Sequence, residues 1–259
     1  MSKWSNRAFK VAAALVGGFR YLSMEGVPGT KIRIPFKAHR GFWVGPMPDA
    51  DLVTFLASAL PGTDGVFLDV GANIGTYSAV LGVMKKGRLR GAAFEPVPTT
   101  NALLRRTLEL NGLDEFLAEA SALSSSPANL IFSGYEGGGN NFIVPPGDAR
   151  ARLNVRGTTL DAWMEAHPEL PPDAIKIDVE GHELEVLKGG RATLARFRPA
   201  LVIECHCASW PVAGVRGEDF NSLLAGCGYS EPMGRDGCTV DLTRCRETVH
   251  VLYRGSKAT

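Results

Sequence analysis

Two stretches of the chain set titratable side chains at short, regular intervals. AIKIDVEGHELEVLKGG carries Lys176 and Asp178 two residues apart, followed by Glu180 and His182, and RPALVIECH ends in Glu204 and His206. On a strand, residues two apart share a face. If these two strands end side by side, Asp178, Glu180, His182, Glu204 and His206 meet on one rim, with Lys176 behind Asp178. Such a rim offers two kinds of chemistry. His182 or His206 can act as a general base on a hydroxyl, because an imidazole titrates near neutrality. Alternatively, Asp178 and Glu204 can bind a divalent ion such as magnesium, whose charge lowers the pKa of a hydroxyl. Asp178 also has a plainer reading, in which it holds a ligand's ammonium group or caps the helix that starts near His182.

A second constellation lies upstream. Val66, Phe67, Leu68 and Val70 form an apolar strand that stops at Gly71-Ala72-Asn73-Ile74-Gly75, after which Tyr77, Val80, Leu81 and Met84 recur at helical spacing. The turn sits at the carboxyl end of a strand, where open α/β sheets bind ligands, and Gly71 and Gly75 permit close approach to the backbone around Ala72 and Asn73. The next strand ends at Glu95, whose carboxylate can accept both hydroxyls of a ribose. A dinucleotide site needs three glycines to seat a pyrophosphate, whereas here Asp69 enters the turn and suits a cation instead. A nucleoside with a positively charged amino-acid end fits that pattern, and S-adenosylmethionine is such a molecule. A third strand, in FLAEASALSSS, would bring Ser121 and Ala122 to the adenine edge.

FLDVGANIGTYS, the tetrapeptide AFEP, IKIDVEGHELEVLKGG and RPALVIECH, in that order between Val66 and His206, resemble the FkbM family of S-adenosylmethionine-dependent methyltransferases. The resemblance implies an α/β fold: a doubly wound, Rossmann-like class I methyltransferase sheet of about seven strands, the last inserted antiparallel. It also implies methyl transfer to a hydroxyl of a small metabolite, sugar or lipid-linked intermediate. The alternatives left open are an N- or carboxyl-methyltransferase and a non-catalytic nucleoside-binding protein of the same fold.

The positioning elements can be read around these motifs. Trp4, Ala8, Val11, Leu15, Phe19 and Leu22 fall near helical spacing; KIRIPFKAHRGFWVG alternates like a hairpin, and PDADLVTFLASAL reads as a short helix. Residues 1–62 are therefore expected to form an extension on the substrate side, with His39, Arg40, Phe42 and Trp43 as its polar and aromatic groups, and 63–259 the cofactor-binding core. Within the core, a helix is predicted from Pro98 to Leu110, and another from His182 that Gly189-Gly190 stops or kinks. Gly137 to Asn141 suggest a lid, EDFNSLLAGCGY a helix, ETVHVLYRG the last strand and CTVDLTRCR an extra hairpin.

The 259 residues carry 28 basic and 27 acidic side chains, well mixed, for a formal charge of +1, which leaves no electrostatic footprint for nucleic acid. VAAALVGGF is too short to span a bilayer and argues against membrane association. The cysteines are Cys205, Cys207, Cys227, Cys238 and Cys245; an odd count without a CxxC spacing points away from disulfides and towards the cytoplasm. In ECHC, alternation turns Cys205 and Cys207 towards the core and away from Glu204 and His206.

Overall fold

The computed structural model describes residues 19–22, 29–35, 49–133, 142–145 and 147–255. A strand pair comes first, β1 (Phe19–Leu22) against β2 (Ile32–Pro35), antiparallel with Phe19 opposite Pro35. This corrects the helix expected up to residue 22. Phe19-Arg20-Tyr21-Leu22 is rich in strand-favouring aromatic residues, and IRIP gives it a partner, so pairing overrides helical spacing here. Residues 1–18 of that helix, the hairpin residues His39, Arg40, Phe42 and Trp43, and the glycine-rich Gly137–Asn141 lie outside the described residues. Asn111 fixes the start of β2, accepting from the Lys31 N–H at 2.9 Å and donating to the Lys31 carbonyl at 2.7 Å.

The core alternates helix and strand: α1 (Ala50–Ala59), β3 (Gly65–Val70), α2 (Thr76–Met84), β4 (Leu89–Phe94), α3 (Pro98–Leu110) and β5 (Phe116–Glu119). Three short strands follow, β6 (Ala122–Leu123), β7 (Asn129–Phe132) and β8 (Leu153–Thr158), which form a small sheet of order β6-β8-β7. The remainder is α4 (Leu160–Ala166), β9 (Ala174–Ile177), α5 (Glu183–Gly189), α6 (Arg191–Phe197), β10 (Ala200–His206), α7 (Trp210–Ala213), α8 (Gly217–Gly226) and β11 (Thr248–Tyr253).

The main sheet has the order β11-β10-β9-β3-β4-β5, parallel throughout except for β11, which runs antiparallel to β10. Both faces are covered, as a parallel sheet requires. Val66, Leu68, Val70, Ile175, Ile177, Leu201 and Ile203 share one core with side chains of α4, α5, α6 and α8. Phe67, Ala93, Ala174 and Val202 share the other with α1, α2 and α3. The described sheet thus has six strands, one fewer than the family pattern suggests, and its antiparallel strand lies at the edge rather than inside. Beyond β11, Met233 makes isolated bridges to Thr239 and Leu252, partly covering that edge. CTVDLTRCR forms one of these bridges and a 3-10 turn at Leu242–Arg244 instead of a hairpin, because the Asp241 side chain takes the Thr243 N–H at 3.0 Å and closes the turn.

Chain direction across the sheet reverses between β3 and β9, which is the topological switch point where doubly wound sheets bind ligands. The ends of these two strands are locked together. The Asp178 N–H donates to the Val70 carbonyl at 2.9 Å, and a Cβ on Gly71 would stand 1.8 Å from the Asp178 carbonyl oxygen. The break between α5 and α6 falls at Gly190, as the glycine pair predicts; a Cβ on Gly189 would meet the Ser124 carbonyl at 2.0 Å. Among the described residues, no helix is long and apolar enough to cross a membrane.

Candidate active site

A cleft opens at the carboxyl ends of β3, β4 and β9, where doubly wound sheets bind ligands. Of the residues expected to bind a cofactor, Gly71, Asn73, Glu95, Ser121, Ala122 and Asp178 line it, together with Val97, Thr100, Phe132, Ile143 and Val179. Ala72 and Gly75 are in the turn but not in the wall. Gly75 caps α2 in the left-handed region (φ 83°), and a Cβ there would lie 2.7 Å from Leu104. Both turn glycines are thus demanded by conformation and packing, which sequence alone reads as room for a ligand.

Glu95 is 7% exposed. Its Oε1 accepts the Val97 N–H at 2.9 Å. Burial, opposed by hydrogen bonds from the Val97 and Asn73 backbones, pushes its carboxyl up to about 7. Among the described residues no lysine or arginine lines the cleft, so this carboxylate is supplied with backbone donors rather than a cation and can take two more from a ligand diol.

Asp69 lies behind the wall. Its Oδ2 accepts the Ser78 hydroxyl at 2.6 Å and the Ser78 N–H at 3.2 Å, stitching β3 to the first turn of α2. Across the sheet register, Asp69 pairs with Lys176. Lys176 is buried, donates from Nζ to Asp178 Oδ2 at 3.0 Å and sits 4.7 Å from the centroid of the Tyr77 ring. Burial works against its charge, but Asp178 and Asp69 outweigh that and hold the ammonium above its ordinary range. Lys176 is therefore a fixed counter-ion that cannot take up a proton.

His182 lines the cleft, with Nε2 2.9 Å from the Ser124 hydroxyl. Burial holds its imidazole below the ordinary value, so it is neutral at pH 7. His206 is the opposite case. Nδ1 lies 2.8 Å from Glu183 Oε1, and Nε2 lies 3.3 Å from Glu180 Oε2 and 3.9 Å from Glu204 Oε1. Burial opposes its charge, but Glu183 and Glu180 prevail and raise the imidazole to about 9. Glu204 is in turn contacted by His250 at 3.3 Å; that neighbour outweighs burial and holds the Glu204 carboxyl at about 2. Ligand atoms of Asp178, Glu204 and His206 all fall within 4.8 Å of one another, as metal-ligand spacing requires. Glu204 and His206 stand beside the cleft rather than in its wall, joined to it through Asp178 and Glu180.

Two residues of this arrangement, Glu183 and His250, escape the sequence reading, whereas Glu180 is on the rim it expects. Glu183, fully buried, accepts the Gly181 N–H at 2.7 Å and orients His206; its signal is a carboxylate on the buried stripe of α5 with Val186 and Leu187. His250 faces Glu204 only through the β10–β11 register, which no local pattern encodes. Glu180 lines the cleft in the left-handed region (φ 53°). Cys205 and Cys207 are buried in the core as alternation predicts, and all five cysteines are free.

Residues 69–231, well over half of the chain, match the methyltransferase FkbM domain family. The chain is 30% identical to the hexuronic acid methyltransferase AglP of Haloferax volcanii over 164 residues, spanning 62% of each protein. It is also 30% identical to the methyltransferase sdnD of Sordaria araneosa, over 62% of this chain and 72% of that one. Its fold is similar to that of the methyltransferase FkbM from Methylobacillus flagellatus KT, with a TM-score of 0.50 at 21% identity over 78% of this chain and 47% of the other. A Rossmann-like sheet, a cleft at its switch point and an ordered set of matching motifs therefore agree: this chain belongs to the FkbM methyltransferase domain family.

Proposed function

We propose that this chain is an S-adenosylmethionine-dependent O-methyltransferase, acting in the cytoplasm on a hydroxyl of a small metabolite, sugar or lipid-linked intermediate. The observation that carries this reading is Glu95, a buried carboxylate in the wall of the cleft at the strand ends, met by backbone N–H groups and placed to take a ribose diol. Gly71, Asn73, Ser121, Ala122 and Asp178 would hold the rest of the cofactor. Bound there, S-adenosylmethionine supplies a methyl group on a sulfonium, open to in-line displacement. Residues 1–62 are assigned to the acceptor side.

Of the two imidazoles, His182 is the better base. It is neutral, it lines the cleft, and Ser124 fixes its orientation, so it can take the hydroxyl proton as the oxygen attacks. His206 already carries a proton near neutrality. A hydroxyl acceptor is favoured over a carboxylate because the charged side chains in the wall are Glu95, Asp178 and Glu180, all acidic, and would repel an anion at the transfer point. The name of the Haloferax relative supports the sugar class.

Convergence of Asp178, Glu204 and His206 favours a second reading, in which the three hold a divalent ion that lowers the acceptor's pKa. Lys176 competes with it for Asp178. Methyl transfer to a hexuronic acid that survives exhaustive chelation would remove the metal from the account, whereas recovery only on adding magnesium would establish it. The cofactor assignment is tested separately by calorimetry. Glu95→Gln should weaken S-adenosylmethionine binding about 10- to 100-fold, the worth of charge-assisted hydrogen bonds to a buried carboxylate. Unchanged affinity would refute the ribose role.

A further inference from the structure

Around the end of β9, negative charge outnumbers positive. Asp69, Asp178, Glu180, Glu183 and Glu204 are served by the ammonium of Lys176 and the imidazolium of His206, with His250 touching Glu204 from the far side. Most of this charge is turned away from the ligand. Asp69 is tied to Ser78, Glu183 to the Gly181 N–H and His206, and Glu204 to His250. Asp178 reaches the cleft with Lys176 already bound to Oδ2. Glu180 reaches it with a half-share of His206, whose Nδ1 is committed to Glu183. Of the two carboxylates that the end of β9 contributes to the cleft wall, Asp178 and Glu180, the less compensated is therefore Glu180.

Its placement is deliberate in physical terms. Glu180 and Gly181 both have positive φ, 53° and 101°, a region in which a glutamate is strained relative to glycine. A turn alone would be served better by glycine or asparagine at position 180.

We propose that Glu180 is the counter-ion of the cofactor's sulfonium, so that this cleft prefers the charged methyl donor over its neutral product, S-adenosylhomocysteine. The two molecules differ by a methyl group and one positive charge, and a carboxylate only partly compensated by His206 would discriminate between them by Coulomb attraction. Release of spent cofactor would follow from loss of that attraction. The inference rests on the cofactor reading above and gives His206 a role as the group that holds Glu180 in place.

Titration calorimetry with S-adenosylmethionine and S-adenosylhomocysteine, on the wild type and on Glu180→Gln and Glu180→Gly, tests it. The wild type should bind the donor about tenfold more tightly than the product at low salt, and either variant should bring the ratio close to one, mainly by weakening the donor. Glu180→Gly also removes the backbone strain, so a thermal midpoint at or above that of the wild type, with the ratio lost, marks the effect as electrostatic rather than as unfolding. A ratio near one in the wild type, or one that survives both substitutions, would overturn the role of Glu180 while leaving the cofactor site standing. Binding of neither molecule to the wild type would overturn both.

Discussion

Gly71→Ala should be among the most damaging single substitutions in this protein, costing about 3–5 kcal/mol of stability in urea unfolding, the range of the largest point-mutant effects. Two causes add. The residue has φ 79°, where an alanine is strained, and the new Cβ would sit 1.8 Å from the Asp178 carbonyl oxygen and 3.3 Å from Val179. Relief is possible only by parting the ends of β3 and β9, which the Asp178 N–H to Val70 carbonyl bond holds closed. Because Asp178 and Glu180 follow directly, whatever folded protein remains should also bind S-adenosylmethionine poorly. A Gly71→Ala protein with wild-type unfolding and wild-type affinity would mean that the two strand ends are not packed as described.

The second large effect is a pH dependence. His206 is raised from an ordinary value of 6.5 to about 9, so folding stabilises its protonated form. That contribution is fully present below pH 6.5, declines between 6.5 and 9, and is gone above 9. With each unit worth about 1.4 kcal/mol, it cannot exceed about 3 kcal/mol, and partial exposure of the neighbouring Glu180 and Glu204 brings it lower. Glu183→Gln should flatten this part of the stability curve, since Glu183 is the principal cause of the shift and makes the 2.8 Å contact to Nδ1. Glu183 is fully buried and its Oε2 has no hydrogen-bond partner among the described residues, so the glutamine amide enters a pocket already shaped for a side chain of its size. A direct titration of the His206 ring by NMR settles the sign: a midpoint near 9 in the wild type, falling in Glu183→Gln, is expected, and a midpoint at or below 6.5 would contradict the arrangement.

How much of this was legible in the sequence varies with the range of the interaction. The strand, turn and helix from Val66 to Met84 can be read because the apolar period changes from two to three or four within a few residues, and the helix from Pro98 to Leu110 because proline marks its start. Glu95 and Asp178 were placed at strand tips for the same reason. What could not be read depends on partners distant in sequence. Phe19 to Leu22 form a strand only because Ile32 to Pro35 lie alongside. Gly71 reads in sequence as room for a ligand, whereas the Asp178 carbonyl fills the space a side chain there would need. Lys176 reads as a catalytic residue of the rim and His206 as a candidate base, yet Asp178 and Asp69 on one, and Glu183 and Glu180 on the other, hold each in its charged form. The helical spacing at Glu183 marks a buried position but gives no hint that a carboxylate there would serve His206 on the next strand.

Charge also links the chemistry to the fold. Five carboxylates gathered around the carboxyl ends of β3, β9 and β10 repel one another, and Lys176, placed two residues before Asp178 on the same strand face, supplies a buried counter-charge to Asp178 and Asp69. The excess that remains faces the cleft, where a cationic ligand would complete it.

The central claim is that S-adenosylmethionine binds across the β3–β4 strand ends with its ribose on Glu95. A crystal structure of the protein with S-adenosylhomocysteine tests this most directly. The account predicts both ribose hydroxyls on the Glu95 carboxylate, the adenine towards Ser121 and Ala122, and the amino-acid end beside Gly71 and Asp178. A nucleoside bound elsewhere, or one in this cleft that leaves Glu95 untouched, would contradict it.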